Sequence, residues 1–173
     1  MLAVIAVPAL GRGDAARIAA IRRRHDPRFG ALPPHVTLAF PKAVEAPAAA
    51  GALVDAVAAS GAAVAATLRG ADVHRLPGRA GWLVMLAVGA GAGAVGRLHH
   101  RLDRGPLAGN RRGRLPYRPH LTVAAGLTAP AAARLAARVR RWVPIRCRLT
   151  ALQLVAWDGR RLETVGSFRL GGF

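Results

Sequence analysis

Acidic side chains are scarce in this 173-residue sequence: 8 Asp and Glu stand against 26 Lys and Arg, a formal net charge of +18 at pH 7. Such an excess adds self-repulsion that a polyanionic partner relieves, so nucleic acid is favoured ahead of an anionic lipid surface. Lysine is almost missing too, since Lys42 is the only one and the other 25 cations are arginine. Forked guanidinium groups can bind two phosphate oxygens at once. A GC-rich coding sequence would explain arginine over lysine, but not the shortage of acids.

Cys147 is the single cysteine, which excludes an internal disulfide and a cysteine-based metal cluster and suits a reducing compartment. It reads as a small buried apolar residue. Aromatics make up 5% of a chain that is 53% apolar, so the core is expected to be built from Ala, Val and Leu, and an aromatic elsewhere draws suspicion. Long hydrophobic runs are lacking because Gly and Arg interrupt them, which argues against a membrane span. Residues 1–7 lack a basic lead-in and stop at Pro8, so they read as a strand and not as a signal peptide. The expectation is a cytoplasmic monomer, one domain over 1–173 that buries about two thirds of its unfolded surface.

Along the chain, 2–7 predicts a buried strand, and 14–24 a helix capped by Asp14. A strand over 35–40 is opened by Pro33-Pro34 and closed by Pro41, and an alanine-rich helix over 47–59 follows. Segments 64–73 and 82–88 predict a hairpin around a Pro/Gly turn. Glycines 89–96 lead into a helix ending near 102, then a basic loop over 103–118 and a strand over 120–125. A helix over 130–142 and two closing strands, 145–157 and 163–170, complete the order. Many strands with four helices interspersed indicate an α+β fold with mainly antiparallel pairing.

One block occurs twice. Pro34-His35-Val36-Thr37-Leu38-Ala39 returns as Pro119-His120-Leu121-Thr122-Val123-Ala124, 85 residues later. In a strand, alternate side chains share a face, so each block presents a histidine and a threonine together, backed by an apolar face. Two such strands facing across a cleft would make a phosphodiester site. Imidazole, with an ordinary pKa of about 6.5, can take a proton from the attacking oxygen or give one to the leaving oxygen. Thr37 and Thr122 can donate to the phosphoryl oxygens. Neither block offers a carboxylate or thiolate, so no metal and no cofactor is expected.

These two motifs, the opening strand, Trp82-Leu83-Val84 and Tyr117-Arg118-Pro119 together resemble the 2H phosphoesterase superfamily, in particular its 2′-5′ RNA ligase and RNA 2′,3′-cyclic phosphodiesterase branch. The resemblance spans nearly the whole chain. It implies a bilobal fold of two facing sheets with outer helices and pseudo-twofold duplication, His35 and His120 as catalytic histidines, and Thr37 and Thr122 as phosphate-binding hydroxyls. It also implies hydrolysis of 2′,3′-cyclic phosphate ends of RNA or of cyclic nucleotides to 2′-phosphates, with 2′-5′ ligation as a further activity. Competing readings are a basic RNA-binding module with a weak or inactive site, and a cyclic phosphodiesterase for a small nucleotide such as an ADP-ribose cyclic phosphate.

Around the motifs, Arg111, Arg112, Arg114 and Arg118 are expected to hold flanking phosphates, with Arg75 and Arg79 as weaker candidates. Tyr117 and Phe40 are candidates to stack on a base. Trp82 reads as core. His99-His100 read as surface residues, since adjacent helical positions diverge by about 100°. His25 and His74 have no motif around them, and Gly89, Gly91 and Gly93 lack the rest of a phosphate loop.

Overall fold

A computed structural model of the chain describes residues 1–75, 80–109, 116–158 and 160–171. In chain order the elements are β1 (Leu2–Ala6), β2 (Ala9–Leu10), α1 (Arg12–His25), β3 (Val36–Lys42), α2 (Ala46–Ala58), β4 (Val64–His74), β5 (Trp82–Val88), α3 (Ala92–Leu102), β6 (His120–Leu127), α4 (Ala129–Val139), β7 (Ile145–Leu149), β8 (Ala151–Trp157) and β9 (Leu162–Arg169). The α+β class and the 64–73/82–88 hairpin are as expected. No helix among the described residues is long and apolar enough to cross a membrane.

Every strand pair is antiparallel, in the order β2-β7-β4-β5-β6-β3-β1-β8-β9. The two expected sheets are thus the halves of one curled sheet, joined where β3 meets β6 through the single register pair Val36–Leu121. One half is β3-β1-β8-β9 and carries α2 and α3. The other is β6-β5-β4-β7-β2 and carries α1 and α4. Each half keeps one helix that follows its own strand and takes one across, since α1 follows β1 but packs on β6, whereas α3 follows β5 but packs on β3.

Alternation decides the two faces. Val36, Leu38, Leu121 and Val123 are at most 1% exposed and join the helices in the main core, with Val84, Leu86, Leu68, Ile145 and Leu149. Residues between them point away from the helices. Trp82 packs on this core and Cys147 is buried in it, as the sequence suggests.

Three local expectations fail. Helix α1 starts at Arg12 behind Gly11, which offers no side-chain cap, and Asp14 sits in the first turn, 3.5 Å from Arg17. Pro41 does not close β3, which runs on to Lys42 as an irregular strand paired with β1 through two register shifts. Segment 145–157 is two strands, broken at Thr150. β7 pairs with β4, and β8 pairs with β1 on the far half of the sheet.

Candidate active site

The junction of the two halves is where the repeated blocks meet. Val36 opposite Leu121 fixes an antiparallel register, which one step either way sets His35 beside Thr122 and Thr37 beside His120. Strands β3 and β6 are therefore neighbours in one sheet and do not face each other across a cleft. Both apolar partners face the core, so all four motif residues stand on the helix-free face. The histidines lie on a diagonal, roughly 7–8 Å apart at the backbone. All four are half-buried. Among the described residues neither threonine hydroxyl has a hydrogen-bond partner, which leaves both available to a ligand.

Both rings are held the same way. His35 Nδ1 lies 2.8 Å from the Pro33 carbonyl oxygen and His120 Nδ1 lies 2.7 Å from that of Arg118. A carbonyl can only accept, so Nδ1 carries the proton in each ring and Nε2 is the working nitrogen. Burial lowers both pKa values from the ordinary imidazole value, against the raising effect of the carbonyl bonds. The Arg22 guanidinium and His120 lower His35 further while Asp26 raises it, and His74 lowers His120 further. In the ligand-free protein at neutral pH both Nε2 atoms thus present lone pairs.

Three supports of this site have no obvious mark in the sequence. Arg22, 2% exposed, donates through Nε to Asp26 at 2.9 Å and through its terminal nitrogen to the Leu32 carbonyl at 2.7 Å. It ties the end of α1 to the loop that carries Pro33. His99 is buried and not a surface residue: its Nδ1 donates to the Leu38 carbonyl at 2.7 Å and its ring stacks on Tyr117 at 3.7 Å. His74 lies on the same face as the motif threonines, because its register partner Leu83 belongs to that face of β5. Its position four residues after Gly70, whose φ of +66° accompanies a bulge in β4, is a signal that only the paired sheet makes readable.

The expected ligand contacts divide. Tyr117 donates its hydroxyl to the Thr37 carbonyl at 2.8 Å, and His99 covers one ring face. It bridges the approach to β6 and the backbone of β3, and burial pushes its hydroxyl pKa up. Phe40 follows a bulge that returns Ala39 to the core and is half-buried; it lines a small pocket with Leu38, His99 and Leu107. Arg118 is exposed beside His120, and Arg75 is exposed just after β4. Arg111, Arg112, Arg114 and Arg79 lie outside the described residues. A cavity of about 300 Å³ lined by Ser60, Arg97 and Arg101 sits by α2, α3 and β4, away from the histidines.

A sequence model of the 2′-5′ RNA ligase superfamily matches residues 11–161. Among solved structures, TT0787 of Thermus thermophilus superposes with a TM-score of 0.63 at 20% identity, over 99% of this chain and 98% of that one. Escherichia coli LigT complexed with 3′-AMP gives 0.60 at 19% identity over 99% and 98%. Kluyveromyces marxianus Usb1 gives 0.54 at 14% identity over 95% and 97%. At these identities the likeness is one of fold. No curated protein sequence matches.

Proposed function

The chain belongs to the 2′-5′ RNA ligase superfamily, and from that premise we propose that it hydrolyses 2′,3′-cyclic phosphate ends of RNA to 2′-phosphates. One observation carries the reading. Two imidazoles with the same pinned tautomer flank two threonine hydroxyls that, among the described residues, are unengaged, all on the helix-free face of the sheet. One Nε2 takes a proton from water as its oxygen bonds to phosphorus, the bond from phosphorus to the 3′ oxygen breaks, and the other Nε2 gives that oxygen a proton. Thr37 and Thr122 donate to the non-bridging oxygens, where charge grows.

The acid must start protonated, although burial and nearby cations depress both pKa values. An anionic phosphate between the rings reverses that balance by favouring imidazolium. The substrate thus helps to charge its own acid. Escherichia coli LigT has been crystallised with 3′-AMP, with NADP⁺ and with ATP, which supports a nucleotide as the class of ligand.

The test is hydrolysis of 2′,3′-cyclic CMP by the wild type, His35→Ala and His120→Ala, with the product isomer identified. Each substitution should lower kcat by about 10²–10⁴-fold while the fold stays intact, and the product should be the 2′-phosphate. The pH profile should be bell-shaped and insensitive to chelator. Full activity in either variant, or a 3′-phosphate product, would refute the assignment.

A further inference from the structure

On the β6-β5-β4-β7 half, the helix-free face that begins at His120 continues as arginine. Ala87 of β5 stands opposite His120 and Arg69 of β4 stands opposite Ala87, so Arg69 is two strand spacings from His120, about 10 Å at the backbone. Its stem lies across Gly89, where a Cβ would come within 2.5 Å of Arg69 Cδ. Any side chain at 89 would displace it. Because Val88 N donates to the Pro119 carbonyl, this berth directs the Arg69 side chain toward the end of the sheet where Arg118 and His120 sit.

Arg146 and Arg148 extend the row. They alternate with buried Ile145, Cys147 and Leu149 and are exposed, so they share the catalytic face. Arg146 pairs with Thr67, which makes Arg69 its diagonal neighbour at roughly 7–8 Å, and Arg148 follows two residues on. None of the three is paired with a carboxylate among the described residues. Asp72 is the one acid on these four strands. The large apolar residues that are exposed, Met1, Val54 and Val165, all lie elsewhere, which disfavours a lipid surface.

The opposite half lacks this row. There the face beyond β3 is closed by Ala3, Ile5 and Val155, all at most 4% exposed, with Val7 and Leu162 packed on them. A chain leaving the site meets apolar packing on one side and unpaired cations on the other.

We propose that Arg69, Arg146 and Arg148 form a track for the phosphates of single-stranded RNA running from His120 across β5, β4 and β7, so that the preferred substrate is an oligonucleotide and not a cyclic mononucleotide. The inference rests on the proposed activity for its chemical end but not for its binding. The test compares wild type with the triple variant Arg69→Ala, Arg146→Ala, Arg148→Ala. In the binding arm, affinity for a labelled RNA decamer with a 3′-phosphate is measured against salt. The triple variant should bind at least about tenfold more weakly at low salt, and the slope of log affinity on log salt should shrink by about 2.

In the activity arm, kcat/KM should fall on a decamer ending in a 2′,3′-cyclic phosphate and stay unchanged on 2′,3′-cyclic CMP. Unchanged RNA binding would overturn the track, as would equal losses on both substrates. So would arginine-dependent binding to phosphatidylserine vesicles without an effect on RNA. If the wild type turns over neither substrate yet binds the decamer through these arginines, the proposed activity fails and the track stands.

Discussion

The two His-x-Thr blocks place the same atoms on the same face but are held there by different means. His120 opens β6, a strand flanked on both sides, with Ala87 opposite its own backbone. The carbonyls that orient the two rings, of Pro33 and of Arg118, both lie ahead of their strands, but Pro119 beside Arg118 accepts from Val88 at the end of β5, whereas His35 itself precedes β3. The loop that carries Pro33 is anchored from below by Arg22, which reaches Leu32 while paired with Asp26, the two side chains being 3% and 7% exposed. Sheet hydrogen bonding supplies for one histidine what a buried ion pair supplies for the other. The first half of the site is therefore the one that distant substitutions can loosen.

The largest expected difference follows from that pair. Arg22→Met leaves the Asp26 carboxylate buried without its cation and frees Leu32, which should cost about 3–5 kcal/mol in denaturant unfolding. His35 also loses a neighbour that lowers its pKa, and since Asp26 would be left to act alone, its pKa should rise. The double variant Arg22→Met with Asp26→Leu should recover part of the stability, because an apolar pair can replace a buried ionic one. If Arg22→Met is as stable as wild type, the brace is ornamental and the two blocks are held alike.

A smaller difference lies in how β3 and β6 are tied. Tyr117 grips the Thr37 carbonyl and stacks on His99, which grips the Leu38 carbonyl, so two consecutive peptides of β3 are fixed from the β6 side and from α3. Tyr117→Phe removes one hydrogen bond and keeps the ring. It should cost about 0.5–1.5 kcal/mol of stability and act on kcat more than on KM, as Thr37 loses its alignment with phosphate. An effect confined to KM, larger for RNA than for a mononucleotide, would instead make Tyr117 a base-stacking residue.

How much of this can be read in the sequence depends on the range of the cause. The four motif residues are legible because strand alternation is local: His35 and Thr37 share a face whatever the sheet order. The break at Thr150 leaves only one slip of alternation, three residues from Leu149 to Leu152 in place of two, and it takes the sheet order to show that β7 and β8 lie in different halves. Arg22 sits inside Arg22-Arg23-Arg24, which looks like a solvated basic run. Its signal is its place four residues after Ile18 on the inward stripe of α1 and four before Asp26. His99 reads as exposed beside its exposed neighbour His100, although it follows Val95 at helical spacing and so shares that residue's buried side.

The smallest effect tests whether the two histidines also differ electrostatically. His120 is lowered by a third histidine, His74, whereas His35 is lowered by a permanent cation, Arg22. Replacing His74 with Gln removes its lowering effect, so the His120 pKa should rise slightly in an NMR titration, by more than any change at His35. The sign for stability follows from the same direction. Both histidines titrate below their unfolded value of about 6.5, so the unfolded chain binds protons first as pH falls, and stability declines below that value until the folded pKa values are passed. His74→Gln should narrow this decline, because a His120 nearer its unfolded pKa disfavours folding less in acid. A His120 titration unmoved by the substitution would place His74 too far away to matter and leave burial alone to explain the low value.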